Sequence, residues 1–108
     1  MKNRALIQKI IKHAEKIVKY CESISNQSDF FSNPMLVESC VFNLIQIGEF
    51  ANKLDTEFVE KNPNIPWHAL YGLRNRIVHD YDGVNLNLVW DIVNDDIPEL
   101  IVNLETLS

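Results

Sequence analysis

The sequence predicts an all-α protein, an antiparallel four-helix bundle with one extra short helix. Apolar residues recur at steps of three and four along most of the chain, which is the period of amphipathic helices. No segment alternates in the two-residue rhythm of a half-buried strand. The 108 residues, of which 46% are hydrophobic and 23% charged, have the length and composition of one soluble globular domain. Residues 1–108 are therefore expected to form a single domain without a sheet.

The first helix is predicted over residues 5–24. Its opposite faces differ in character, because apolar side chains form one face and four lysines the other. The lysine face is typical of a solvated surface, although it could also follow a phosphate backbone. The apolar face consists of Leu6, Ile7, Ile10, Ile11, Ala14, Ile17, Val18, Cys21 and Ile24, and the lysines are Lys9, Lys12, Lys16 and Lys19.

The second helix is predicted from about residue 34 to 54, after the polar stretch "SNQSDFFSNP". Asn33 is a suitable N-cap, and Pro34 suits the first helical turn because it lacks an N–H group. Gly48 inside this helix costs about 1 kcal/mol relative to alanine, so we expect another backbone to approach it closely. Residues 55–61 form the candidate extra short helix.

The third helix is predicted from Pro66 to about His79 or Asp80, with Gly83 free to adopt the left-handed conformation that terminates helices. The fourth helix follows Asn85 as its cap, and Pro98 predicts a kink or a restart within it. The apolar residues of the fourth helix are Leu86, Val89, Trp90, Val93, Ile97, Leu100, Ile101 and Leu104.

The net charge of −5 argues against a protein that coats nucleic acid non-specifically, because such binding depends on lysine and arginine neutralising phosphates. Six of the ten basic residues lie in the first twenty positions, whereas the chain after Arg76 holds seven acids and no lysine or arginine. The two ends could therefore attract each other within the fold or across a dimer.

With no signal peptide and no membrane span, the expected location is the cytoplasm. Cys21 and Cys40 are expected to be buried, reduced thiols.

The stretch "LRNRIVHDY", residues 73–81, concentrates polar chemistry in a segment that otherwise reads as core. On a regular helix, at about 100° per residue, His79 shares a stripe with Asn75 and Arg76, and Arg74 falls in the sector of the core. A buried arginine must be paired. The partner is either an acid such as Glu49 or Asp91, or a bound phosphate in a cleft where another subunit packs.

The residue types in this stretch suit phosphoryl chemistry. A histidine can take a proton from a ribose hydroxyl or give one to a leaving oxygen, and Asn75 is placed to orient the ring or bind a phosphate oxygen. His79 alone is more often a helix-end residue bonded to carbonyls. Cleavage of RNA by attack of its 2′-hydroxyl works best with both a base and an acid, and this stretch supplies one well-placed histidine. A two-fold dimer could bring two copies of His79 and Arg74 into one composite site. Arg76 has two possible roles, a second phosphate contact or a solvated surface residue.

The spacing of Arg74, Asn75, His79 and Tyr81 resembles the motif of the HepT-like toxins of the HEPN superfamily. The flanking "IPWHALYGLRNRIVHDYDGVNLNLVWDIVNDDIPEL" and "NLIQIGEFANKL" extend the resemblance over nearly the whole chain. It implies a HEPN-like bundle that forms a homodimer and acts as a metal-independent endoribonuclease, with Arg74 and His79 catalytic and Asn75 supporting them. It also implies an MNT-type nucleotidyltransferase antitoxin as partner, in a type VII-like toxin–antitoxin pair, which neutralises the toxin by AMP transfer to Tyr81.

Two other functions fit parts of the sequence. A catalytically silent helical module that binds and regulates a nucleotidyltransferase is favoured by the low basicity, whereas the intact motif favours the ribonuclease. A metal site on "HDYD" is not favoured, because no further ligands lie upstream at helical spacing. We therefore expect no cofactor and no metal. The sequence does not identify the RNA, whether transfer RNA or messenger RNA.

Overall fold

The structure is a computed structural model that describes residues 2–79 and 83–107, and of His79 only the backbone. Its helices are α1 (Lys2–Tyr20), α2 (Gln27–Phe31), α3 (Pro34–Asn52), α4 (Thr56–Lys61), α5 (Trp67–Tyr71), α6 (Leu73–Ile77), α7 (Leu86–Asp91) and α8 (Ile97–Glu105). A turn of π-helix, Ile92–Asp96, joins α7 to α8. The strands β1 (Val78–His79) and β2 (Gly83–Val84) form an antiparallel pair with Val78 opposite Val84 and His79 opposite Gly83. The prediction of an all-α chain is confirmed in the described residues, apart from this short pair.

Helix α3 lies at the centre of the molecule. It packs against α1 along their lengths and also contacts α2, α5, α6 and α7, while α8 packs against α1 as well. The core between these helices is apolar, and Leu44 and Ile47 of α3 are completely buried. The single buried polar side chain among the described residues is Asn43. Its Oδ1 accepts a hydrogen bond from His13 Nδ1 at 2.7 Å, and its Nδ2 donates to the Ser39 carbonyl at 2.7 Å.

The predicted helix starts are confirmed at two asparagines. The side-chain oxygen of Asn33 accepts a hydrogen bond from the Leu36 N–H at 3.1 Å, and that of Asn85 accepts from the Leu88 N–H at 3.2 Å. Each bond satisfies a backbone donor that has no partner within its helix. Pro34 occupies the first turn of α3 as predicted.

Close approach at Gly48 is confirmed as well. A Cβ atom built on Gly48 would lie 2.8 Å from the carbonyl oxygen of Leu70, a separation that no side-chain carbon tolerates. The glycine thus allows the backbone of α5 to pack directly on α3. This contact fixes where the segment that carries the arginines begins.

The polar stretch after α1 contains a helix that the sequence reading missed. Helix α2 is capped by the side chain of Asn26, which accepts from the Asp29 N–H at 2.9 Å, and it buries Phe30 completely. Phe30 packs on Trp90 with ring centroids 5.4 Å apart. Five residues are too few for a helical period to be visible in the sequence.

The third helix does not run unbroken to His79 or Asp80, and that prediction was wrong. It breaks at Gly72, whose φ of −96° and ψ of 13° lie outside regular helix, and α6 ends at Ile77. Glycine has a low helix propensity, and the β-branched Val78 takes extended backbone with φ −111° and ψ 122°. Gly83 has a φ of +79°, the left-handed conformation predicted for it, but it stands in β2.

The predicted interruption near Pro98 takes the form of the π-helical turn. The Ile97 N–H donates to the Ile92 carbonyl, five residues back, and Pro98 then lies in the first turn of α8. Proline is tolerated there because that turn needs no N–H donor. Within the described residues, no helix combines the length and the apolarity that crossing a membrane requires.

Candidate functional site

Three consecutive polar residues, Arg74, Asn75 and Arg76, lie on the outer surface of α6. The residues on either side of them, Leu73 and Ile77, are buried, with 2% and 0% of their surfaces exposed. Residues four apart lie on the same side of a helix, so these two anchors turn the three between them towards solvent. Arg74, Asn75 and Arg76 are all exposed.

The prediction that Arg74 lies in the core sector was wrong. That prediction treated residues 66–79 as one regular helix. The helix breaks at Gly72, and the break changes the direction in which the later side chains point. The expected partners Glu49 and Asp91 are exposed too, and neither forms an ion pair with Arg74 in the described part of the chain. An exposed guanidinium needs no internal counter-ion, so Arg74 is accessible to an external anion.

The backbone near His79 also departs from the helical expectation. The Val78 N–H donates to the Arg74 carbonyl and closes α6, and the next residue pairs with Gly83 across the strands. His79 therefore lies in a strand, two residues beyond the end of the helix, and the helical offset from Asn75 does not apply. The His79 side chain and the predicted modification site Tyr81 lie outside the described residues, so the convergence of Arg74 and His79 stays a prediction.

Arg76 faces a cleft between α5–α6 on one side and the π-helical turn and α8 on the other. Its Nη1 donates to the Ala69 carbonyl at 3.2 Å, which holds the side chain back along its own segment. The cleft has a volume of about 340 Å³, within the range of small-molecule sites. Its lining is apolar at the base and polar at the rim, and comprises Asn64, Pro66, Ala69, Leu70, Leu73, Arg76, Ile92, Asp96, Ile97, Glu99, Leu100 and Asn103.

Asp96 is the acid of this cleft whose ionisation the surroundings disfavour. Partial burial raises the pKa of its carboxyl above the ordinary 3.8, the charge of Asp95 raises it further, and the charge of Arg76 opposes the shift. Sequence reasoning missed this arrangement, because it depends on which helices pack together. The visible signal was Pro98, which marked the irregular segment that carries Asp96.

A metal centre has no support among the described residues. Within residues 2–79 and 83–107, no three histidine, cysteine, aspartate or glutamate side chains lie together in a way that could hold an ion. Most of the "HDYD" stretch lies outside these ranges, so the expectation that it holds no metal stays a prediction.

Fold and site together define a small all-α protein that presents an arginine-rich helix to solvent beside a short strand pair. The chain belongs to the ribonuclease HepT-like family, whose sequence profile matches residues 10–107. The predicted resemblance to HepT-like ribonucleases is thereby confirmed.

Individual relatives carry ribonuclease names. The chain is 34% identical over 97 residues, 90% of its length and 86% of the relative's, to "Putative RNase TTE0752" of Caldanaerobacter subterraneus subsp. tengcongensis. It is 31% identical over 102 residues, 94% of its length and 93% of the relative's, to "Putative RNase MJ1380" of Methanocaldococcus jannaschii. It is 34% identical over 61 residues, 56% of each chain, to "Probable ribonuclease HepT" of Thermococcus cleftensis. No solved structure matches the chain.

Proposed function

We propose that this protein is the toxin of a type VII-like toxin–antitoxin pair, a metal-independent endoribonuclease that cuts cellular RNA in the cytoplasm. The observation that carries the proposal is the exposed Arg74–Asn75 pair on α6 in a chain of the ribonuclease HepT-like family. An exposed guanidinium with an amide next to it is suited to a phosphodiester, because its planar fork matches two phosphate oxygens.

The proposed reaction is transesterification. Arg74 and Asn75 bind the non-bridging oxygens of the scissile phosphate, and the imidazole of His79 takes the proton of the ribose 2′-hydroxyl. The 2′-oxygen attacks phosphorus, the bond to the 5′-oxygen breaks, and a protonated imidazole gives its proton to that leaving oxygen. The products are a 2′,3′-cyclic phosphate and a 5′-hydroxyl end.

A two-fold homodimer of antiparallel four-helix, HEPN-like bundles supplies the second histidine in this proposal. In an isologous interface the same segment of both subunits meets across the axis. Two copies of Arg74 and of His79 then share one pocket, one histidine acting as base and the other as acid. The solvent-facing position of Arg74 supports this arrangement, since a side chain paired inside one subunit would not reach a shared pocket.

Neutralisation is proposed to occur at Tyr81. An MNT-type nucleotidyltransferase would transfer AMP from ATP to the phenol oxygen, with pyrophosphate leaving. The added nucleotide carries negative charge, and placed two residues after His79 it would repel the substrate phosphate. Tyr81→Phe should therefore remain toxic when the antitoxin is co-expressed, whereas the unmutated chain should not.

The ribonuclease is tested by expressing the chain alone and assaying RNA cleavage with EDTA present. Arg74→Ala and His79→Ala should each lower the rate at least about 100-fold, the usual contribution of such groups, and abolish growth arrest. Arg4→Ala on α1 and His68→Ala on α5, both exposed residues, are the matched controls and should retain activity. Equal cleavage by the unmutated chain and by His79→Ala would refute the enzyme.

The composite site is tested by mixing the two inactive variants. A dimer of Arg74→Ala with His79→Ala still holds one arginine and one histidine in the shared pocket, so co-expression should restore part of the activity. A site contained within one subunit gives no recovery, since neither chain has a complete set.

One feature favours the alternative of a catalytically silent module that binds a nucleotidyltransferase. Met35 and Phe42 on α3 are 79% and 59% exposed, and with Tyr20, Lys16 and Glu38 they line a shallow groove beside α1. Exposed large apolar side chains often mark protein contacts. Under this alternative Phe42→Ser abolishes binding of the nucleotidyltransferase, and the chain shows no RNA cleavage with or without His79.

A further inference from the structure

The two cysteines, 19 positions apart in sequence, meet in the fold. Cys21 directly follows α1, where its N–H donates to the Ile17 carbonyl, and Cys40 lies in the middle of α3. Their sulfur atoms are 3.6 Å apart, and both are free thiols. The prediction of reduced thiols agrees with this geometry, but the predicted burial holds only for Cys40, because Cys21 is half-buried.

The two thiols differ in their access to solvent. Cys21 lines a cleft of about 170 Å³ between the end of α1 and the π-helical turn, together with Val18, Glu22, Ile24, Trp90, Val93, Asn94 and Pro98. Cys40 is completely buried. A small reagent can therefore reach the sulfur of Cys21 through the cleft. The sulfur of Cys40 lies behind that of Cys21.

The hydrogen bond between the sulfurs makes the thiols chemically unequal. The contact with Cys40 lowers the pKa of the Cys21 thiol more than burial raises it. The pKa of Cys40 is raised by the same hydrogen bond, by burial and by the charge of Cys21. Thiolates are the nucleophilic form of cysteine, so the accessible sulfur is also the more reactive one.

We propose that Cys21 and Cys40 form a modification site for hydroperoxides, in which Cys21 is oxidised first and Cys40 resolves it to an intramolecular disulfide. This thiol pair has the features of known redox-sensing cysteines, namely an accessible sulfur with a resolving thiol in contact. The proposal does not depend on the ribonuclease activity.

The reaction balances with hydrogen peroxide as the oxidant. The Cys21 thiolate attacks one oxygen, the O–O bond breaks, and sulfenic acid and hydroxide form. The Cys40 sulfur then attacks the Cys21 sulfur, the S–O bond breaks, and the thiol proton of Cys40 leaves with the hydroxyl group as water. In sum, two thiols and one peroxide give one disulfide and two waters.

The geometry permits this closure. A disulfide needs its sulfurs about 2.05 Å apart, so the observed pair must approach by roughly 1.5 Å from 3.6 Å. Cys21 lies in a turn after the helix rather than within it, and that end of the chain can shift more easily than α3. The closed loop would link α1 covalently to α3.

The experiment treats the reduced full-length protein with hydrogen peroxide and follows it by mass spectrometry. We expect the mass to fall by 2 Da, both thiols to become unreactive to alkylation after unfolding, and a cross-linked peptide joining Cys21 to Cys40. Closing this loop should raise Tm by roughly 10 °C, and dithiothreitol should reverse the change.

The variants assign the roles. Cys40→Ser, which keeps a hydrogen-bond donor beside the Cys21 sulfur but cannot form a disulfide, should accumulate sulfenic acid at Cys21, trapped as its dimedone adduct. Cys21→Ser should leave Cys40 unmodified at the same peroxide dose. Thiols that stay fully alkylatable after peroxide treatment of the unmutated protein would overturn the proposal. So would a disulfide formed only between molecules, or dimedone labelling of Cys40 in Cys21→Ser. The measurement on the unmutated chain decides the matter even if Cys40→Ser does not fold.

Discussion

Gly48 shows how one missing Cβ atom positions a neighbouring segment. The Leu70 carbonyl oxygen lies only 2.8 Å from the position that a Cβ atom on Gly48 would take. The glycine was visible in the sequence as a costly residue inside a helix, and the fold supplies the reason. Local signals of this kind, like the caps at Asn33 and Asn85, could be predicted because each depends on a few neighbouring residues.

Gly48→Ala should lower the free energy of unfolding by about 1–2 kcal/mol, because overpacking costs more than the helix propensity of alanine returns. Urea unfolding followed by circular dichroism measures the change. Gly72→Ala is the matched control, since a Cβ there meets only the Arg76 side chain at 4.0 Å. The interpretation fails if both variants are equally stable.

Asp96→Asn should raise Tm slightly at pH 7, by no more than about 2 °C. The folded protein raises the pKa of this carboxyl above 3.8, so it holds the proton more tightly than the unfolded chain does. Ionised Asp96 therefore costs stability above its folded pKa, and the cost vanishes below the unfolded value.

Thermal unfolding from pH 3 to pH 7 tests this sign. The difference between Asp96→Asn and the unmutated protein should grow with pH across the acidic range. Glu60→Gln, an exposed change on α4, is the control for charge removal. A variant that is less stable at pH 7 would mean that the attraction between Asp96 and Arg76 outweighs burial.

Helices with a long apolar period were predictable as elements, and the third helical segment was not. The periodic faces of α1 and α3 are set by about twenty residues each, so errors at their ends changed little. Residues 66–79 contain a glycine and a β-branched pair, and the phase of a wheel drawn through them is lost at Gly72. A helical wheel that ignores this break assigns Arg74 to the core, whereas in the structure Arg74 is exposed to solvent.

Asn85→Ala should destabilise the protein by about 1 kcal/mol, or about 4 °C in Tm, because α7 loses the acceptor for the Leu88 N–H. Asn85→Ser keeps an acceptor and should recover most of the loss. Asn87→Ala, an exposed change within α7, is the control and should have little effect. Thermal unfolding of the three variants separates capping from helix propensity.

At the scale of the whole molecule, the sequence predicted the helical class and the family, and it could not fix how the candidate side chains meet. Arg74 and Asn75 are placed by the anchors Leu73 and Ile77, which belong to this chain. The proposed shared pocket depends on a second copy of the chain. The position of that copy depends on how two surfaces fit together, which the hydrophobic periodicity of the sequence does not reveal. The dimer therefore remains part of the proposal.

The proposed ribonuclease should lose specific activity on dilution. Below the dissociation constant of the dimer, the dimeric fraction falls in proportion to total protein, so each tenfold dilution should lower the activity per chain about tenfold. Initial rates and sedimentation velocity over the same concentrations test this. Constant specific activity in a range where the chain sediments as a monomer would place the whole site in one subunit.

The π-helical turn between α7 and α8 makes the number of codons in this region matter. Its defining bond spans five residues, from Ile97 back to Ile92, one more than an α-helical bond spans. An in-frame deletion of one codon there would restore regular α-helix and leave the direction of the later side chains unchanged, whereas the same deletion within α1 or α3 would rotate the residues that follow by about 100°. The buried side chains of Ile97, Leu100 and Leu104 would then keep their places against α1, so this turn should tolerate the loss of one residue better than the regular helices do.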